Sequence, residues 1–318
     1  MPFEIYLHDH SDFEDLIRIV AEDPGIHPVL VEKDYWIMHC LYGLNQLGLK
    51  FELKGGTSLS KGYKVINRFS EDIDIRIDPE CAPFDMFYGR NHDKPAQIES
   101  RKEFYDWLVE DKLKIKGVIE VNRDVEFDDE KYRSGGIRLI YKSKFEPLAG
   151  VKNGILLETG FDTTSPNESI DISSWTLEHA LKNKAEVINN IAKEIKCYLP
   201  EYTFVEKLQT ISTKFRQQQE NKTDPVLFMR HYYDVAQLLK IKRVLDFIGT
   251  EAYTIHKRNR FRTADELNIS KNEAFLLSDK KVRELYKNSY DKAHALYYKK
   301  QISFEEIMKI IHQHVDKL

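Results

Sequence analysis

The chain is poor in cysteine: Cys40, Cys81 and Cys197 are the only three in 318 residues. Odd in number and far apart, they exclude a disulfide framework and a zinc site, and a reducing cytoplasm is the expected compartment. No apolar run approaches the ~20 residues that a membrane span requires. Met1-Pro2-Phe3-Glu4 lacks the basic stretch and apolar run of a secretory signal, so no membrane partner is expected. Positive charge is not in excess either. With 48 Lys and Arg against 52 Asp and Glu, the formal net charge of -4 gives no global pull toward nucleic acid, so a polyanion must be met by local cations. The eleven histidines include no His-x-x-x-His pair and have no cysteine partners, which leaves them without a metal-ligand pattern. Internal repeats and low-complexity tracts are absent.

What is present suffices for two domains of ordinary size or one large one, since 42% of the residues are hydrophobic. The pattern predicts an α/β (α+β) fold. Ser11-Asp12-Phe13-Glu14 fits a capping box with Phe13, Leu16, Ile17 and Val20 behind it at helical spacing. Pro24-Gly25 ends that helix, and a second runs from about Leu30 to Leu47. Phe51-Glu52-Leu53 reads as a strand, Thr57 to Ile66 as a helix, and Asp72 to Ile77 as the next strand. A helix over Ile98 to Val118 precedes strands at Val125–Phe127, Ile137–Tyr141 and Ile155–Phe161, with Asn153-Gly154 as a turn. From about Ser174 helical patterns take over: Leu177–Ile195, Thr203–Gln218, Val226–Lys240, Lys281–Tyr298, and a last helix capped by Ser303-Phe304-Glu305-Glu306. The expected division is a small mixed sheet with N-terminal helices over residues 1–173 and a helical domain over 174–318.

Two local patterns carry chemistry. In Lys54-Gly55-Gly56-Thr57-Ser58-Leu59-Ser60-Lys61 a strand runs into a glycine turn and then a helix. Backbone amides and the helix dipole at such a turn favour phosphate oxygens, and Gly55, Gly56, Thr57, Ser58 and Lys61 are the candidate nucleotide-binding residues. The spacing is not that of a Walker A loop, and a plain tight turn is the bland alternative. In Arg68-Phe69-Ser70-Glu71-Asp72-Ile73-Asp74-Ile75 the two-residue period of a strand puts Asp72 and Asp74 on one face and the isoleucines on the other. Two adjacent carboxylates repel unless a cation lies between them, and Mg²⁺ takes a couple of carboxylates plus phosphate oxygens. A lone Asp-x-Asp is more often a solvated strand edge.

In sequence order the two patterns resemble the nucleotidyltransferase superfamily, with a glycine turn, a helix and then Asp-x-Asp, here at slightly longer spacing. That resemblance implies a third metal-binding acid on a later strand, for which Leu156-Leu157-Glu158-Thr159 offers Glu158, with Asp162 as runner-up. The likeness narrows further. Val31-Glu32-Lys33-Asp34-Tyr35-Trp36, the Phe51–Lys61 and Arg68–Asp74 stretches, Phe204-Val205-Glu206-Lys207-Leu208 and Arg230-His231-Tyr232-Tyr233-Asp234-Val235 resemble, in order, the motifs of the AbiEii/AbiGii (MenT-like) toxin family. His231 departs from the pattern, since many members carry an acid there.

The resemblance implies a nucleotidyltransferase core whose cleft is closed by the helical domain. It implies a toxin of a toxin–antitoxin or phage-defence pair that moves a nucleotide from an NTP to RNA, in some relatives the tRNA 3′ end, with release of pyrophosphate. Asp72, Asp74 and Glu158 would hold two Mg²⁺ ions, Lys207 and Asp234 would act catalytically, and Arg68 and Ser70 would join the nucleotide site. A cognate antitoxin with a winged-helix domain is the implied partner. Two other functions compete: NTP or GTP capture without transfer, and nucleotidyl or phosphoryl transfer to a protein. From the residues alone, Arg230 and Asp234 make an ordinary helical ion pair four apart. His256-Lys257-Arg258-Asn259-Arg260-Phe261-Arg262 is a candidate RNA-gripping patch, Arg138 and Lys142 lie on or beside a strand within possible reach of a triphosphate, and Tyr132 and Trp36 are candidates for base stacking.

Overall fold

The computed structural model describes residues 5–22, 25–89, 91–225, 228–292, 297–298 and 301–318. The chain forms two compact units. The first comprises residues up to Gly62 together with Phe69–Tyr198, and the second comprises Tyr63–Arg68 together with Leu199 onward.

The first unit is built on a mixed sheet of β1 (Phe51–Lys54), β2 (Asp72–Ile77), β3 (Val118–Arg123), β4 (Ser134–Tyr141), β5 (Ile155–Gly160), β6 (Asn167–Ile172) and β7 (Ala192–Tyr198), in the order β3-β4-β5-β2-β1-β7-β6. β2 runs antiparallel to β1 and parallel to β5, while β7 runs parallel to β1. Ile73, Ile75 and Ile77 are fully buried, each contributing about 2 kcal/mol of burial, while Asp72, Asp74 and Arg76 alternate with them on the half-buried face. Its helices are α1 (Phe13–Glu22), α2 (Pro28–Gln46), the single turn α3 (Gly55–Thr57), α4 (Pro95–Trp107) and α5 (Trp175–Lys182). Pro28 suits the first turn of α2, where its missing N–H costs nothing, and the His27 side chain accepts from the Val29 amide. α2 packs against β7 and β5 and is buried on nearly every side from Val29 to Leu41.

The second unit is helical: α6 (Pro200–Asn221), α7 (Met229–Leu238), α8 (Lys242–Phe247), α9 (Glu251–Arg260), α10 (Glu273–Leu276), α11 (Lys280–Asp291) and α12 (Phe304–His312). Tyr232 of α7 sits edge-on to Tyr286 and Phe304 in its core. Ser303 caps α12 by accepting from the Glu306 amide, as its capping box predicts.

Several elements differ from the sequence expectation. The helix expected over Leu177–Ile195 stops at Lys182, and Ala192–Tyr198 is instead β7, hydrogen-bonded to β1. The contact-defined division therefore falls after Tyr198 rather than after residue 173. Val118–Arg123 is a strand rather than a helix end, and Val125–Phe127 is a helical turn rather than a strand. The helix expected to reach Ile66 ends at Gly62. That expected over Lys281–Tyr298 covers Lys280–Asp291, and residues 293–296 lie outside the described ones.

Candidate active site

β1, β2 and β5 bring the expected acids together through register. Lys54 pairs with Asp74, and Asp74 pairs with Glu158, so the three side chains leave the sheet in a row on the same face. Asp72, two residues before Asp74, shares that face. β1 then turns through Gly55 at a φ of +71°, a left-handed conformation that suits glycine. A Cβ there would lie 2.0 Å from Asp74 Oδ2, so the carboxylate rests directly on the glycine backbone. Asp162, the runner-up acid, is exposed beyond the end of β5.

The hydroxyls of the glycine turn look inward. Thr57 is fully buried and its Oγ1 donates to the Asp72 carbonyl, tying the turn to β2. Ser58 is fully buried beside the Cys197 thiol. Lys61 Nζ lies 2.5 Å from Asp34 Oδ1 and 5.3 Å from the centre of the Trp175 ring. Asp34 is fully buried on α2 and also accepts from the Trp175 amide at 2.9 Å. Burial pushes the Asp34 carboxyl up, against the pull of Lys61. The ammonium expected to neutralise phosphate is thus engaged in clamping the turn to α2. Ser70 is half-buried two residues before the start of β2.

Just ahead of Asp72, Glu71 receives the buried Lys33 of α2 at 2.8 Å, and Lys33 also donates to the Lys152 carbonyl at 2.6 Å. Burial lowers the Lys33 pKa, with Glu71 opposing it. Arg138 leaves β4 two strands from Asp72 in the same register, and Asp124 holds its guanidinium.

The expected metal ligands have the hard-oxygen chemistry that Mg²⁺ requires, and register puts Asp74 beside Glu158. Among the described residues, no group of three or more His, Cys, Asp or Glu side chains converges tightly enough to hold an ion by itself. The arrangement fits a cation that takes one or two carboxylates here and completes its shell with phosphate oxygens.

In the second unit, Asp234 of α7 is fully buried and bidentate with Arg68: Nε donates to Oδ1 and Nη2 to Oδ2, each at 2.7 Å. Lys207 Nζ of α6 lies 3.2 Å from Asp234 Oδ2 and 3.3 Å from His231 Nδ1. Burial opposes the charge on Asp234, but Arg68 and then Lys207 outweigh it and hold the carboxyl below its usual value. Burial, helped by Lys207, drives His231 well below the usual histidine value, so its ring is neutral and Nδ1 accepts. The helical pair expected between Arg230 and Asp234 does not form; Asp234 goes to Arg68 and Lys207 instead. Arg68, expected at the nucleotide, is almost fully buried with its guanidinium on Asp234.

Part of the candidate RNA patch is internal wiring, while Arg258 and Arg262 are exposed. Lys257 is buried and donates to the Leu318 carbonyl at 2.7 Å, Arg260 pairs with Glu206, and His256 packs on Tyr202. Trp36 stacks on Tyr141 inside the core, and Tyr132 lies beneath the Arg123 guanidinium.

A family model described as nucleotidyl transferase AbiEii toxin, type IV toxin–antitoxin system, matches residues 37–308, most of the chain. The chain belongs to the AbiEii family. It is therefore a nucleotidyltransferase of a toxin family. No curated protein matches it. A solved structure of an antigenic nucleotidyltransferase-like protein from Paracoccidioides brasiliensis is similar over 87% of this chain and 93% of that one, at 13% identity and a TM-score of 0.34. That likeness is too slight to support a conclusion.

In this AbiEii chain the sequence motifs fall into two assemblies: the glycine turn with Asp72, Asp74 and Glu158 in the first unit, and Lys207 with Asp234 in the second. Lys33, Asp34 and Glu71 carried no assigned role in the sequence reading, yet they brace the glycine turn and the start of β2. The available signal was three successive charged residues, Glu32-Lys33-Asp34, inside an otherwise apolar helix: each must find a partner or pay for its burial. Glu32 finds the Ser143 hydroxyl at 2.6 Å and the Lys144 amide at 2.8 Å.

Proposed function

We propose that the protein transfers a nucleotide from an NTP to a hydroxyl of an RNA acceptor, with the tRNA 3′ end as the acceptor class that the family motifs suggest. The observation that carries this reading is the side-by-side register of Asp74 and Glu158, with Asp74 seated on the Gly55 backbone. An acceptor oxygen attacks the α-phosphorus, the bond to the bridging oxygen of the β-phosphate breaks, and pyrophosphate leaves. The acceptor proton passes to a carboxylate, for which Glu158 is the candidate. One or two Mg²⁺ ions, held by Asp74, Asp72 and Glu158, would supply charge neutralisation at the phosphates and a lowered pKa for the acceptor hydroxyl.

The backbone of Gly55 and Gly56 leaves room for a close approach by phosphate oxygens. Thr57 and Ser58 serve as braces, Lys61 clamps the turn through Asp34, and Ser70 leads into β2. In the second unit Asp234 holds Lys207 and Arg68, and Lys207 keeps the catalytic role that the family resemblance suggests. The physiological setting is a toxin held in check by a cognate antitoxin, of winged-helix type as the family resemblance suggests, in a cytoplasmic phage-defence pair. No helix among the described residues is long and apolar enough to cross a membrane.

The test is incubation of the purified protein with Mg²⁺, each α-labelled NTP and total RNA, followed by a denaturing gel and a pyrophosphate assay. Label on a tRNA-sized band with stoichiometric pyrophosphate supports the proposal. Label on protein, or tight NTP binding with no pyrophosphate, contradicts it.

A further inference from the structure

The sheet face that carries the acids also carries cations with no ion-pair partner among the described residues. Lys54 is in register with Asp74; Arg76, two residues beyond Asp74, is in register with Glu52 on one side and Gly160 on the other; Lys196 of β7 is in register with Glu52. Residues in direct register share a face, so Lys54, Arg76 and Lys196 form one strip beside Asp74 and Glu158. None of the three makes an ion pair or a side-chain hydrogen bond among the described residues, although Lys54 and Arg76 are half-buried. A half-buried cation ordinarily takes a nearby carboxylate. Of the nearby acids, Glu52 accepts from the Thr164 hydroxyl and Asp78 accepts from the Glu80 amide. Gly160, in register with Arg76, contributes no side chain. Arg76, Lys196 and Lys50 line an open cavity of about 210 Å³, together with Glu52, Asp78 and Glu194.

We propose that Arg76, flanked by Lys54 and Lys196, is a phosphate-binding strip adjoining the carboxylates of the transfer site. The strip takes the place that the sequence assigned to Lys61. Its ligand is a phosphate-bearing polyanion, either the triphosphate of the nucleotide or the backbone of the acceptor. Only the identity of that ligand rests on the transferase reading, because the binding itself is measured without turnover.

The experiment uses the full chain without divalent metal, as wild type, Arg76→Gln, Arg76→Lys, Lys196→Gln and, as an off-strip control, the exposed Lys193→Gln. Inorganic triphosphate and each NTP are titrated by calorimetry. A short fluorescein-labelled single-stranded RNA is titrated by anisotropy at several salt concentrations. Arg76→Gln should lose about tenfold in affinity. For RNA it should also flatten the slope of log affinity against log salt by about 0.7. Lys196→Gln should lose less, Arg76→Lys should restore most of the loss, and Lys193→Gln should match wild type. Loss confined to RNA assigns the strip to the acceptor, and loss with triphosphate assigns it to the nucleotide. Unchanged binding of both ligands by Arg76→Gln, or a loss equal to that of Lys193→Gln, overturns the proposal. A wild-type protein that transfers no nucleotide to RNA would sink the transferase reading and leave these binding results standing.

Discussion

A methyl group on Gly55 would overlap the Asp74 carboxylate, and the backbone there holds a φ of +71° that an L side chain strains to adopt. Gly55→Ala should therefore move Asp74 out of line with Glu158. A displacement near 1 Å at a reacting centre costs about 10²-fold in rate. We expect label transfer to fall by about that factor while far-UV circular dichroism stays that of wild type. Asp234 fails in a different way. Asp234→Asn leaves the buried Arg68 guanidinium without its counter-charge, a change that costs about 3–5 kcal/mol, so the urea midpoint should drop markedly. Residue roles were legible where they follow from backbone periodicity: the shared face of Asp72 and Asp74 needed only the two-residue repeat of a strand. The partner of Lys61 was not legible, because Asp34 lies 27 residues away on another element and only the packing of α2 brings it near.

Among the elements, α2 is the brace of the first unit, and its polar contacts make it sensitive to acid. His39 of α2 has Nε2 at 2.8 Å from the Lys116 carbonyl and Nδ1 at 2.8 Å from the Asn190 amide, and the His8 ring lies 4.6 Å from it. Burial, then the neighbouring His39, pushes His8 down to about 3, and burial lowers His39 as well. Both rings are neutral in the fold, and the unfolded chain binds protons first. The stability that His8 lends is fully present above about pH 6.5 and is lost as pH falls toward 3, at about 1.4 kcal/mol per pH unit, and His39 adds a loss in the same direction. Urea midpoints measured from pH 7 to pH 4 should fall, and His8→Phe should flatten that dependence. α6 and α7 could be read from apolar spacing and α12 also from its cap, whereas β7 could not. Glu194 takes a positive φ, and the β6–β7 register shifts between Ile170 and Ile172. That irregularity breaks the alternation that marks a strand and leaves a spacing of apolar residues that mimics a helix.

For the whole molecule, family membership rests on a match across residues 37–308, and the ordered motifs made it legible in the sequence. The division of the chain was less legible, because β7, which follows α5, lies between β1 and β6 in the sheet, and Tyr63–Arg68 joins the later unit. The central claim is that Asp74 works as a transfer-site carboxylate and not as a solvated strand residue. Its most direct measurement compares wild type with Asp74→Asn for release of pyrophosphate from each NTP in the presence of RNA, with thermal melts run in parallel. The account predicts that release falls to background while the melting temperature stays at or above that of wild type, since Asp74 sits against a neighbouring carboxylate. Wild-type release by Asp74→Asn would contradict it.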